Sequence, residues 1–380
     1  MPKNIVVCCD GTGNTFSDHN TNVIKLFSVL DLDSPARQVA YYHAGLGTMG
    51  APNALSRLSR FWTKLLGLAF GYGLAGDIGD AYAFLMDTFE PGDRVFLFGF
   101  SRGAFTARAL AGMLHMFGLV RPGDYNLVPY AVQMLKRRQD QRTFQVAEAF
   151  NRTFCRQCKP HFIGVFDTVG SVGWIWDPVH IPFTARNPDL AIGRHAVSID
   201  ERRCYFRQNL WGAPLPGQDI KQVWFAGVHS DIGGGYPERE SGLAKITLEW
   251  MLREAHVAGL LIHPAKVLDI LGRGPSHLTA PDAAALLHNS LSEGPWWLLE
   301  PLPHLYTDMK SVPPRTRVRF PFGRRRTIRP GSTVHSSVLR RKDLDSQYRP
   351  PNLPTDIQVE PWIPWPDLTS STAASGESSG

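Results

Sequence analysis

Long apolar runs, paired cysteines and charge of one sign are all scarce in this 380-residue chain, and each shortage removes a class of protein. The longest weakly polar stretch, Leu65 to Gly76, is broken by glycines and falls short of the roughly 20 residues that span a bilayer, so no transmembrane segment is expected. Five cysteines, two of them adjacent, make no disulfide framework. Cys155 and Cys158 form a lone C-x-x-C, without the second pair of a zinc ribbon or the βαβ setting of a redox site, and read as reduced thiols. No metal-ligand set stands out either, because His229 with Asp231 lacks further ligands. The opening MPKNIVVCCDG is too short for the apolar core of a secretory signal, so a cytoplasmic location is expected. The net charge of +6 is modest and spread along the chain except at Arg324, Arg325 and Arg326. No nucleic-acid reading motif accompanies it; the basic residues read as a solvated face, with anionic lipid or phosphate as the remaining partner class. No internal repeat is visible.

What remains is the composition of a soluble globular chain, 43% hydrophobic and 19% charged, with one strongly ordered stretch. Arg94 to Phe100 is an unbroken run of β-formers, the pattern of a strand covered on both faces. Gly99-Phe100-Ser101-Arg102-Gly103 follows as G-x-S-x-G, and Ala104 to Met116 continues with helical spacing. A strand, a sharp turn and a helix in immediate succession make a nucleophile elbow, with Gly99 and Gly103 allowing close approach and Ser101 at a helix N-terminus. The plain alternative is a tight turn with a solvated serine.

Three further strand ends complete the pattern. Asn4 to Cys9 leads into Asp10-Gly11-Thr12-Gly13-Asn14, a loop rich in backbone N–H groups. In a serine hydrolase one oxyanion donor is the N–H after the nucleophile, here Arg102, and the other comes from a loop after a neighbouring strand, here Gly11 or Thr12. Asp10 as a mere turn cap is the competing reading. His161 to Phe166 runs into Asp167, where a triad acid belongs. Gln222 to Val228, the last such strand in this reading, runs into His229 and a glycine-rich turn. The order Ser101, Asp167, His229 is that of α/β-hydrolases. His43, at the end of the strand Gln38 to Tyr42, is a further site-lining candidate against a structural role. His335 is the rival base, disfavoured because no core strand is expected before it. Trp296 and Trp297 read either as the roof of an acyl pocket or as packing.

These motifs, DGTGN, TNVIKL, YYHAGLGT, GFSRGAFTAR, GVFDTVGSVG and WFAGVHSDIGGGYPE, resemble in wording and order the DUF2235 α/β-hydrolases, which include the catalytic domains of Tle1-like type VI secretion phospholipase effectors. HNSLS and VHSSVLRR are weaker matches. The resemblance implies an α/β-hydrolase-like fold, with a mostly parallel central sheet, helices on both faces and a C-terminal extension. It implies a serine esterase with Ser101 as nucleophile, His229 as base and Asp167 as acid, acting without a cofactor on an ester. In some members that ester is a phospholipid, with peripheral contact to a lipid surface and export that needs no signal peptide. The expected division is a catalytic core over 1–260, an extension packed on it over 261–349, and a Pro/Ser-rich tail over 350–380 with a disordered end. Two other readings stay open: an inactive hydrolase fold serving as a binding or scaffold protein, and a thioesterase or peptidase using the same triad.

Overall fold

The structure is a computed structural model that describes residues 2–11, 19–45, 74–137, 140–170, 173–174, 177–178, 181–292, 295–301, 304–308 and 315–365. Its centre is a sheet of eight strands: β1 (Asn4–Cys9), β2 (Gln38–His43), β3 (Arg94–Phe100), β4 (Pro160–Phe166), β5 (Ile192–Ser198), β6 (Asp219–Phe225), β7 (Ser332–His335) and β8 (Ile357–Glu360). The spatial order is β8-β7-β6-β5-β4-β3-β1-β2, and every pairing within it is parallel. The sequence suggested mostly parallel pairing; the sheet is wholly so.

Apolar runs without alternation fit this arrangement because successive side chains enter opposite, equally dry layers. Ile5, Val7, Val95, Leu97, Ile163 and Val165 point into one core cluster. Among the described residues four helices cover that face: α2 (Leu74–Thr88), α3 (Arg102–Phe117), α4 (Val128–Leu135) and α5 (Gln141–Phe154). Val6, Cys8, Phe96, Phe98, Phe162 and Phe166 point into the other cluster, beneath α1 (Asn22–Ser28) and α7 (Gly242–Val257). All five cysteines are buried and free, as expected for reduced thiols.

Strand order reverses between β1 and β3: the chain goes outward from β1 to β2, then returns to the far side of β1 and advances steadily to β8. In open parallel sheets such a reversal opens a crevice at the C-terminal strand ends. Ser101 and Asp10 both lie at its rim, one residue beyond β3 and β1 respectively.

Two features differ from the sequence reading. Ile192–Ser198, unassigned there, is a central strand between β4 and β6. His335, thought to lack a preceding core strand, ends β7, which is a strand of the main sheet. That stretch is only four residues long, so its apolar signal is weak, yet Val334 is fully buried. The segment beyond residue 260 thus supplies β7 and β8 to the same sheet, and Trp365 is also buried. The stretch Thr369 to Gly380 lies outside the described residues, as does most of Leu65 to Gly76.

Candidate active site

Ser101 holds the sharp strand-to-helix turn. Ser101 sits at φ 58°, ψ −120°, a left-handed conformation that a non-glycine residue holds at a cost of about 1–3 kcal/mol. The turn is tied down on both sides: Ser101 N–H donates to Phe166 O at 3.1 Å, and Val169 N–H donates to Ser101 O at 3.4 Å. Gly103 has no room for a side chain, since a Cβ there would lie 2.1 Å from Cys9 O and 2.5 Å from Asp10 O. The β1 loop and the first turn of α3 are therefore in direct backbone contact.

Asp167 leaves β4 at φ 38° and is completely buried. Its Oδ2 lies 2.6 Å from Nδ1 of His229, and its Oδ1 accepts the Ser198 N–H at 3.0 Å. Arg326 reaches the same carboxylate from the C-terminal segment, Nη1 to Oδ1 at 2.5 Å and Nη2 to Oδ2 at 3.0 Å. The guanidinium and the imidazole outweigh burial, which opposes them, and hold the Asp167 carboxyl well below the usual carboxylate range.

His229 begins not an open glycine loop but a short helix, α6 (His229–Gly233), in which Asp231 accepts the Val228 N–H at 3.0 Å. Its imidazole lies between Phe100 and Phe206, with ring centroids at 4.6 and 4.7 Å. This burial lowers its basicity, and the Asp167 contact offsets part of that. Among the described residues the Ser101 hydroxyl makes no hydrogen bond to His229. Catalytic hydrogen bonds are often loose before substrate arrives.

The TNV motif braces this loop. Asn22 donates from its buried amide to Ile232 O at 2.9 Å and Ala244 O at 2.8 Å, joining α1 to α6 and α7. Neighbouring Thr21 donates to Asp10 Oδ2 at 2.5 Å, and Tyr42 donates to the same oxygen at 2.9 Å. Asp10 thus organises the β1 turn. Its Oδ1 also accepts the Gly11 N–H at 2.6 Å, so that donor is engaged in this structure. Thr12, the other oxyanion candidate on the loop, lies outside the described residues. Arg102 opens α3, where backbone N–H groups point out of the helix end.

The two other histidines singled out in the sequence have partners of their own. His335 bonds through Nδ1 to Ser337 Oγ at 2.8 Å, stacks on Phe225 at 4.6 Å, and is held neutral by burial with its pKa pushed down to about 3. His43, at the end of β2, sits 3.8 Å from Asp77 and 3.6 Å from Asp80. The metal-capable cluster among the described residues, Asp31, Asp33 and His263, lies at the opposite, N-terminal end of β2, where Asp31 O accepts the side chain of Gln38 at the start of that strand.

Several site residues escaped the sequence reading. Glu201, almost fully buried, accepts the His229 N–H at 3.1 Å and pairs with Arg203 at 2.9 Å. The Arg203 guanidinium lies 3.6 Å over the Phe206 ring, and Trp296 meets that ring edge-on at 5.3 Å. Trp296 therefore packs in the wall beside His229, while Trp297 is 62% exposed. Burial opposes the Glu201 charge, but Arg203 above all pulls its pKa down to about 2. A carboxylate depressed in the fold stabilises above its unfolded pKa, about 4.3, and loses that contribution as pH falls toward 2. Glu201→Gln should therefore cost roughly 3 kcal/mol at pH 7 in chemical unfolding, with the gap from wild type closing between about pH 4 and 2. A pH-independent gap would contradict this.

Comparison with known proteins agrees with the fold and motifs. Residues 3–254 match the family described as the catalytic domain of the T6SS phospholipase effector Tle1-like proteins. An uncharacterized protein of Saccharomyces cerevisiae, YEL023C, is 40% identical over 228 residues, which are 56% of this chain and 33% of that protein. The chain thus spans about a third of the length of that relative. A crystal structure of an uncharacterized Pseudomonas aeruginosa protein aligns at 20% identity with a TM-score of 0.40, covering 70% of this chain and 47% of the other. With the family match spanning most of the sheet and the turn at Ser101, the chain belongs to the family of Tle1-like phospholipase effector catalytic domains.

Proposed function

We propose that this protein is a serine esterase that cleaves an acyl ester of a phospholipid through an acyl-enzyme. The observation that carries this reading is the buried Asp167–His229 pair, 2.6 Å apart and bordering a strained elbow serine. His229 Nε2 takes the Ser101 proton as Oγ attacks the ester carbonyl, and the new bond makes a tetrahedral oxyanion. Asp167 holds Nδ1–H and stabilises the imidazolium. The Arg102 N–H and a donor from the Gly11–Thr12 turn receive the oxyanion; Gly11 would first release Asp10. His229 then protonates the leaving alcohol, and water repeats the sequence to free the acid.

Three features support a lipid ester over a soluble one: the family, the hydrophobic walls beside His229, and an apolar apron around the site. Beyond Trp296, the chain exposes Trp297 and Leu298, at 62% and 58%, and then Phe320 and Phe322, at 51% and 66%. These stretches adjoin, because Phe322 N–H donates to Glu300 O at 3.2 Å. Aromatic side chains beside the exposed Arg324 suit the interfacial zone of an anionic bilayer. In this reading the catalytic unit includes the segment beyond residue 260, which carries the apron and Arg326.

The test is fatty-acid release from phospholipid vesicles by wild type and Ser101→Ala, beside a short-chain ester. Wild type should release acid and the variant should not. Turnover of short esters with no release from any vesicle would remove the phospholipid assignment while leaving the esterase.

A further inference from the structure

Arg324, Arg325 and Arg326 are adjacent and identical in sequence, yet only the last is buried, with 6% of its surface exposed. Its backbone is pinned to the end of β5, because the Asn352 amide donates to both Arg326 O and Ile199 O at 3.0 Å. The guanidinium is then committed inward. Besides its two bonds to Asp167, it donates from Nη2 to Phe206 O at 2.6 Å and from Nη1 to Ser198 O at 3.3 Å. Each Asp167 oxygen therefore carries two donors. Oδ1 takes Arg326 and Ser198 N–H, and Oδ2 is shared between Arg326 and His229.

We propose that Arg326, from outside the family-matched segment, is a positioning residue: it fixes Asp167 against His229 and takes up part of the carboxylate's charge, and this sets the pH below which the site stops working. The inference rests on the reading of His229 as the base. A buried carboxylate facing one imidazole would hold a proton tightly between the two, leaving the histidine protonated and useless as a base near neutrality. With a permanent cation on the same carboxylate, the imidazolium gains less from forming, and the neutral base persists to lower pH. Arginine suits the task, since it stays charged and grips both oxygens in a plane.

Other charges near His229 do not replace it. Glu201 and Arg203, on the chain after β5, form their own pair beside the imidazole, the first raising and the second lowering its basicity. Within α6, Asp231 is paired with His288 at 2.7 Å, and His288 with Glu240 at 3.3 Å. Behind Asp167, His195 accepts the Thr168 N–H at 3.2 Å and is held neutral by burial, at about 3. Asp200 is engaged by Arg325 and Tyr348.

The experiment compares wild type, Arg326→Lys and Arg326→Gln by two readouts over pH 4.5 to 9.5 (about five units, enough to span an ordinary histidine titration). One is the His229 ring titration followed by ¹⁵N NMR, which needs no turnover. The other is the rate of fluorophosphonate labelling at Ser101. Wild-type His229 should titrate below about 6.5. In Arg326→Gln the titration and the acid limb of labelling should rise together by about 1 unit or more, a roughly tenfold loss of rate on that limb, with Arg326→Lys in between. A packing role alone would lower rate or stability without moving either. Folded variants with unmoved titrations would overturn the proposal. So would a wild-type His229 titrating above about 6.5, a result that needs no variant to fold. A wild type that never labels, but whose His229 titration answers to Arg326, would sink the esterase reading and leave the positioning role standing.

Discussion

His229→Ala is expected to lower ester turnover at neutral pH by about 10⁴- to 10⁶-fold, while His335→Ala leaves it within a few-fold. The contrast follows from where each ring is spent. His229 Nδ1 is on the Asp167 carboxylate at 2.6 Å, whereas His335 Nδ1 is on the Ser337 hydroxyl at the cap of the helix Ser336–Leu344. His335 also stacks on Phe225, so its loss should lower stability more than rate. Asp167→Asn is the companion: with the orienting charge gone, a loss of up to about 10⁴-fold is expected, and it should not multiply with the His229 loss, because such residues act as a unit. Initial rates of the three purified variants on one chromogenic ester decide the matter. An inactive His335→Ala beside an active His229→Ala would require a different base.

The second large effect lies in the backbone. Gly103→Ala places a methyl 2.1 Å from Cys9 O, where neither partner is a flexible side-chain tip. Either the end of β1 or the first turn of α3 must move, and both border Ser101. A stability loss of about 3 kcal/mol or more is expected, together with a roughly 100-fold loss of rate, since displacements near 1 Å in a reacting group cost that much. Gly79→Ala, on α2, is the control: among the described residues its Cβ would meet only Val128 Cγ1, at 3.6 Å, and helix propensity favours alanine by up to about 1 kcal/mol. Thermal melts and rates of the two variants separate a general intolerance of alanine from a close approach at the elbow. Equal behaviour would contradict the contact.

How far the sequence carried this account depended on what surrounds each residue. The strands before Ser101 and Asp167 were legible because β3 and β4 are covered on both faces, which writes an uninterrupted apolar run directly before each of these residues. β5 was not legible, because Arg194 and His195 interrupt it. Inside the fold Arg194 is paired with Glu254 and Asp219, and Nε2 of His195 accepts the Thr168 N–H. Its loss from the reading hid Ser198 and Glu201, which follow from its end. β7 and β8 are short strands at the sheet's margin, and so gave no run to read. The three arginines from 324 show the limit most plainly. One is exposed, the second sits on Asp200, and the third lies on Asp167, a distinction that only tertiary contacts create. A basic triplet was fairly read as a solvated face, and for Arg326 that reading is wrong.

In the proposed mechanism Ser101 is a nucleophile activated from the Asp167–His229 pair. The most direct measurement is intact-protein and peptide mass spectrometry after a fluorophosphonate is added to wild type, Ser101→Ala and His229→Ala at neutral pH. The account predicts one stoichiometric adduct in wild type, mapped to Ser101, none in Ser101→Ala, and labelling slowed by orders of magnitude in His229→Ala. A folded wild type that takes no adduct, or takes it on another residue, would contradict it.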